Sequence, residues 1–160
     1  MEIALIYHSQ TGNTERFANA LADALMLAGH TVNRIKLQTV NPVKQAPVKS
    51  HQDIAFTNLP DPAAFDLILF GGPVWAFGPS PVIIAAISEM GTLSGKKAIP
   101  FATMGFPFKW MGGSAALRYM QRELATKGAK VLPGYICCQM FKNLDSEIEQ
   151  ATKALIQAIK

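Results

Sequence analysis

Long hydrophobic runs are missing from these 160 residues. No apolar stretch approaches the roughly 18 residues that a membrane-spanning helix needs, so membrane insertion is not expected. The chain starts Met1-Glu2 and its first apolar run stops at His8, which argues against a signal peptide and for a cytoplasmic protein. Cysteine is scarce: Cys137 and Cys138 stand side by side. A bridge between neighbours is strained, so a disulfide framework is excluded and both read as small buried thiols on a strand. Metal-ligand spacing is absent, and His8 reads as a satisfied strand-end residue. Fifteen Lys and Arg against eleven Asp and Glu leave a net charge of +4, but the basic residues are scattered. The densest groups are Lys96-Lys97 and Arg118 with Arg122. No basic stripe interleaved with aromatics and no helix-turn-helix or RNA-binding signature accompanies them, which excludes nucleic acid as a partner. No internal repeat is visible. With 49% hydrophobic and 16% charged residues, the chain is globular rather than disordered, and its length suits one domain over 1–160.

What is present is an alternation of strands and helices. Ile3 to Tyr7 reads as a buried strand. Phe17, Ala20, Leu21, Ala24, Leu25 and Ala28 line one helix face, closed by Gly29. Thr31 to Leu37 alternates like a half-exposed edge strand. From Gln38 to Phe65 the prolines at 42, 47, 60 and 62 predict a short helix at most, or an irregular excursion. Asp66 to Phe70 is a buried strand, and a helix over Ser80 to Met90 follows a loop spanning Gly71 to Pro79. Lys97 to Ala102 is the next strand, with Pro100 as an objection. Ser114 is the expected cap of a helix that closes near Gly128. Lys130 to Cys138 is a last strand interrupted by Pro133-Gly134, and Asp145 is the expected cap of a final helix. Continuous apolar strands separated by amphipathic helices imply an α/β fold, a parallel sheet with helices on both faces.

In such a sheet ligands bind beyond the C-terminal ends of the strands, where strand order reverses. Three loops leave those ends. Ser9-Gln10-Thr11-Gly12-Asn13-Thr14 joins a strand to a helix and offers hydroxyls, a glycine and unpaired N–H groups at the positive end of a helix dipole. It is built to hold a phosphate without lysine. The other two loops, Gly71 to Pro79 and Thr103 to Gly113, carry Trp75, Phe77, Phe106, Phe108 and Trp110. Aromatics on two neighbouring loops suit a flat ligand; the alternatives are packing beneath their own loops or a subunit interface. A phosphate and a flat ring together describe a mononucleotide such as FMN. Other phosphate motifs fail: a P-loop needs Gly-Lys-Ser/Thr, and a dinucleotide fingerprint needs three glycines where only Gly12 stands. A response-regulator site needs an acidic cluster at the strand ends.

The run Ser-x-Thr-Gly-Asn-Thr-Glu after an N-terminal strand resembles the phosphate loop of the flavodoxin family, and Gly-Pro-Val-Trp after the third strand resembles its first flavin-flanking loop. The resemblance covers most of the chain and is weakest over 38–65. It implies a flavodoxin-like, doubly wound, five-stranded parallel sheet of order 2-1-3-4-5 that binds FMN non-covalently. By analogy Ser9, Thr11 and Thr14 give hydroxyls to the phosphate, and Gln10, Gly12 and Asn13 give N–H groups. Trp75 stacks on or edges against the ring, with Pro73, Val74, Ala76, Phe77 and Gly78 along its side. Thr103, Met104, Gly105 and Phe106 face its pyrimidine edge with backbone donors. No acid–base residue and no metal is required.

One departure from the family bears on function. Flavodoxins of the usual kind are acidic around the flavin, whereas here the only acid between Asp66 and Glu123 is Glu89, and Lys109 lies in the second ring loop. A rim without carboxylates does not repel negative charge on a reduced flavin, which implies a weaker reductant and partners of different charge. The resemblance then supports an electron-transfer protein with a redox partner protein. The alternative is an NAD(P)H-dependent FMN or quinone reductase of the same fold, in which oligomers often complete the site. A third reading is a non-redox module for a phosphorylated ligand.

Overall fold

The computed structural model describes residues 1–49 and 53–160. Its elements run β1 (Glu2–Tyr7), α1 (Asn13–Leu27), β2 (Thr31–Lys36), a 3-10 turn (Pro62–Ala64), β3 (Leu67–Trp75), β4 (Gly78–Pro79), α2 (Pro81–Glu89), β5 (Lys97–Met104), α3 (Gly113–Thr126), β6 (Lys130–Val131), β7 (Tyr135–Cys138) and α4 (Leu144–Ala158). The parallel sheet has the order β2-β1-β3-β5, with β6 and β7 in line along the outer side of β5. Taken as one broken strand, that pair completes the flavodoxin-like order 2-1-3-4-5. β4 is antiparallel, folded back on the end of β3.

Alternation along the central strands decides which side chain enters which core. Ile3, Leu5, Leu67 and Leu69 face α1 and α4, where Phe17, Leu21 and Leu155 meet them. Ala4, Ile6, Ile68 and Phe70 face the other way, onto Ile83 and Ile87 of α2 and Met120 and Leu124 of α3. Both faces are buried, which is why these strands read as unbroken apolar runs.

The segment between β2 and β3 holds no α-helix among its described residues; 50–52 lie outside them. Instead Thr39 bridges Phe56, and Val43, Ile54, Phe56 and Leu59 pack against the α2/α3 core. The prolines that break helical periodicity are compatible with this irregular cover.

Four sequence expectations need correction. Gly71 to Pro79 is not one loop: β3 continues to Trp75 and pairs with β4, leaving only Ala76 and Phe77 as a two-residue turn. Ser114 does not cap α3; Gly112, at φ 105, is its N-cap. Asp145 does not cap α4; Asn143 does, its side chain accepting from the N–H groups of Asp145 and Ser146 at 3.0 and 3.3 Å. Pro100 is no obstacle to β5. It stands opposite the gap between β6 and β7, where no ladder bond to the outer strand is needed. A Cβ on Gly134 would come within 2.8 Å of the Pro100 carbonyl oxygen, so the chain crosses that gap at close range.

Candidate functional site at the C-terminal edge of the sheet

β1, β3 and β5 end side by side, and the three loops predicted to act together leave from those ends. In the first, Gly12 sits at φ 94 as the N-cap of α1 and supplies no side chain to the helix start. Ser9 Oγ turns inward and accepts from the N–H groups of Gly12 and Glu15 at 3.2 and 3.3 Å. Gln10 and Thr11 are exposed, and Gly12 and Asn13 are partly so. Thr14 is buried, and its hydroxyl shares a 2.7 Å hydrogen bond with the hydroxyl of Thr103. That bond ties the turn to the end of β5, a role the sequence did not reveal for either threonine.

The second loop is a tight hairpin in which Ala76 and Phe77 both have positive φ, 48 and 62. A two-residue hairpin of this hand normally uses Asn-Gly or Gly-Gly, because a side chain costs about 1–2 kcal/mol per residue in that region. Here the conformation is held from outside. Phe77 stacks on Phe106 with centroids 5.8 Å apart and planes within 4°. Trp75, by contrast, is 4% exposed. It meets His8 edge-on, with centroids 5.1 Å apart. On these two loops the exposed rings are Phe77, Phe106, Phe108 and Trp110.

Between the hairpin and the third loop lies a cavity of about 370 Å³, within the usual range for small-molecule sites. Val74, Ala76, Phe77, Met104, Gly105 and Phe106 line it, all of them expected for the ring. Gln45, Met111 and Met140 also line it, and nothing in the sequence had marked them. Met140 comes from a fourth loop, after β7, whose backbone N–H donates to the Gly105 carbonyl at 2.9 Å. Pro73 and Gly78 flank this wall in β3 and β4 without lining it. Among the described residues, none that lines the cavity is titratable.

The charges of the site lie around it. Lys36 pairs with Glu15 at 2.8 Å, and Tyr7 donates to Glu15 at 3.4 Å. Hydrogen bonding to Lys36 holds the Glu15 carboxyl below its ordinary range. Arg16 is bound to Asp145 across α1 and α4. Burial, ahead of repulsion from Lys36, pushes the His8 imidazole down to about 4. Its Nδ1 lies 2.8 Å from Ser80 Oγ, which also accepts from the Val82 N–H as the N-cap of α2. Burial, then Glu147 and Cys138, push the Cys137 thiol up to about 12, so it stays protonated. Cys138 is free and buried as well.

His8 makes stability depend on pH. The folded form holds it neutral while the unfolded chain protonates near 6.5, so the stabilisation is full above pH 6.5 and is lost as pH falls towards 4. At full titration the effect is roughly 3 kcal/mol. Urea midpoints followed from pH 7 to 4 should fall, and His8→Gln should flatten the slope; parallel slopes for the two proteins would rule His8 out as the cause.

Among the described residues no helix is long and apolar enough to cross a membrane, and no cluster of His, Cys, Asp or Glu could hold a metal. No curated protein sequence matches the chain. Several solved structures share its fold. Flavodoxin 2 from Bacillus cereus superposes with a TM-score of 0.71 at 18% identity, covering 99% of this chain and 98% of that one. Flavodoxin 1 from Bacillus cereus gives 0.68 at 18% identity, with 99% and 97% covered. The flavodoxin of Streptococcus pneumonia TIGR4 gives 0.67 at 17% identity, again with 99% and 97% covered. These identities establish the architecture. The flavodoxin family model matches residues 5–154, from β1 into α4 and through every loop of the site. The chain belongs to the flavodoxin family, whose cofactor is FMN.

Proposed function

We propose that this protein is an electron carrier that holds FMN at the C-terminal edge of its sheet and exchanges electrons with a separate redox protein. The observation that carries the reading is the cavity lined by Phe77 and Phe106: apolar, walled by backbone and side chains, and, among the described residues, without any group in its lining that could transfer a proton. The phosphate turn also fits the cofactor. A Cβ at Gly12 would meet nothing within 4 Å, so there is open space at the turn, and the N–H groups of Gly12 and Glu15 already converge on Ser9 Oγ. Ser9, Gln10, Thr11, Gly12 and Asn13 would hold the phosphate there, with Thr14 and Thr103 locking the turn to β5. Val74, Ala76, Phe77, Met104, Gly105 and Phe106 would enclose the ring and exclude water from it, while Trp75 supports the hairpin from beneath.

Bound FMN supplies one- and two-electron chemistry at its ring. The protein's part is to hold that ring, shield it, and set the field around it. The hairpin and both ring-facing loops contain no carboxylate, which favours negative charge on the ring compared with an acidic rim.

The visible spectrum of the purified protein, before and after adding FMN, tests the cofactor. Gly12→Val should bind FMN at least about tenfold more weakly, because a side chain at φ 94 costs about 1–2 kcal/mol and fills the turn. Unchanged affinity would move the phosphate elsewhere. Adding NAD(P)H without air separates carrier from reductase. The carrier stays oxidised until a separate reductase is supplied; bleaching by NAD(P)H alone would replace this reading with a reductase, and a colourless protein indifferent to FMN would replace it with a non-redox module.

A further inference from the structure

Beyond the cavity, the same edge of the molecule carries a second feature. Phe108 and Trp110 stack on one another in the third loop, with centroids 5.7 Å apart, and Trp110 is 76% exposed. In the loop after β7, Phe141 is 91% exposed and has φ 58. A phenylalanine in the left-handed region, with its ring in water, is unfavourable twice over. Met140 lies between this patch and the cavity it helps to line. Burial beneath their own loops therefore does not account for these rings.

The charges around the patch have one dominant sign. The hairpin 76–77, the loop 105–112 and the loop 139–143 contain two charged residues, Lys109 and Lys142. Lys109 lines a cavity together with Glu147, and Lys142 Nζ lies 3.9 Å from the same carboxylate, so both ammonium groups stand near the end of β7. The nearest acid is Glu147, which is turned inward: its carboxylate accepts from the Cys138 N–H at 3.4 Å and lies 3.9 Å from Lys142 Nζ. Asp145 is taken up by Arg16. Among the described residues Lys109 has no ion-pair partner.

We infer that the aromatic patch of Phe108, Trp110 and Phe141, flanked by Lys109 and Lys142, is a docking surface for a partner protein that presents an apolar face rimmed by carboxylates. The inference rests on the carrier reading above, since a partner seated there stands over the mouth of the ring cavity. Apolar rings exclude water at the centre, while the two ammonium groups steer and orient an acidic rim. A second copy of this chain is the wrong occupant, because a symmetric contact would set lysine against lysine.

The probes are two fluorescein-labelled amphipathic helical peptides with the same apolar face, one rimmed by Glu and the other by Lys, titrated against the FMN-loaded protein by anisotropy. The Glu-rimmed peptide should bind, with affinity falling as salt rises. The double variant Lys109→Glu/Lys142→Glu should weaken it by about tenfold or more and should gain binding of the Lys-rimmed peptide. Phe141→Asn, which keeps a residue tolerant of positive φ, should weaken both. Equal binding of the two peptides, or no change in the variants, overturns the proposal. Binding to phosphatidylcholine/phosphatidylserine vesicles that depends on the same residues would assign the patch to a lipid surface instead, and a concentration-dependent dimer lost in Phe141→Asn would assign it to self-association. The variants are to be titrated with FMN in parallel. Retained FMN with lost peptide binding isolates the docking surface; a protein that never takes FMN refutes the carrier reading, while the peptide result on the same preparation still decides the surface.

Discussion

Gly112→Ala is expected to destabilise the protein strongly and to weaken FMN binding at the same time. The residue has φ 105, where an L side chain costs about 1–2 kcal/mol. A Cβ there would also lie 2.5 Å from the Cα of Phe77, 2.8 Å from its carbonyl carbon and 3.0 Å from its carbonyl oxygen. Those are backbone atoms of a hairpin already held at positive φ, so they have little room to yield. Overpacking of this kind adds about 1–3 kcal/mol. Whatever relief occurs must come by moving Phe77, which stacks on Phe106 and walls the cavity. Gly91→Ala, outside the site, is the control: its φ is not positive, and an added Cβ there would meet Pro62 Cγ at 3.8 Å, an ordinary contact. Urea denaturation and FMN titration of the two variants should separate clearly. Equal effects would mean that the contact between Gly112 and the hairpin does not hold the site.

The second large effect lies beneath the site, where β3 and β5 pair Gly71 directly with Phe101. The Phe101 ring is fully buried and meets Phe17 edge-on at 5.1 Å. It occupies the space a side chain at 71 would need: a Cβ there would fall 2.0 Å from Cζ. Gly71→Ala should therefore cost upwards of about 3 kcal/mol, since ring and neighbours must shift together. Phe101→Ala should cost about 3–5 kcal/mol through the cavity it leaves. The pair should be non-additive: in Gly71→Ala/Phe101→Leu the smaller side chain gives the new methyl room, and the double variant should be more stable than the sum of the singles predicts. Additive losses would show that the two residues do not share that space.

These two glycines illustrate what the sequence conceals. Gly12, in a strand-to-helix turn among hydroxyls, is legible as a turn glycine, because its neighbours in sequence are its neighbours in space. Gly71 and Gly112 are separated from Phe101 and Phe77 by whole elements, and only packing shows that one makes room for a ring and the other for a backbone. The same holds for Trp75. Its place after Gly-Pro-Val marks it to stack on the ring or edge against it; β3 runs on to residue 75 and brings it edge-on to His8, while Phe77 and Phe106 form an exposed stacked pair. The cap assignments failed for a local reason: Gly112 and Asn143 each cap a helix two positions before the residue expected to do so.

The strand order came from the resemblance to the flavodoxin family; the sequence by itself determined the alternating strands and helices, the parallel sheet, the hydroxyl-rich turn at Ser9–Thr14, and ring-facing loops without carboxylates. Each of these is carried by period, by local turn chemistry or by composition, and none needs a distant contact. Tertiary structure decided what those signals could not reach. It joined Thr14 to Thr103, brought Gln45, Met111 and Met140 to the cavity, and buried Trp75. It also left Phe141 exposed at positive φ. The physical reason is the same throughout. A cavity wall and a docking surface are assembled from loop ends that only the sheet register brings together, and register is a property of pairs of strands that no single stretch of sequence contains.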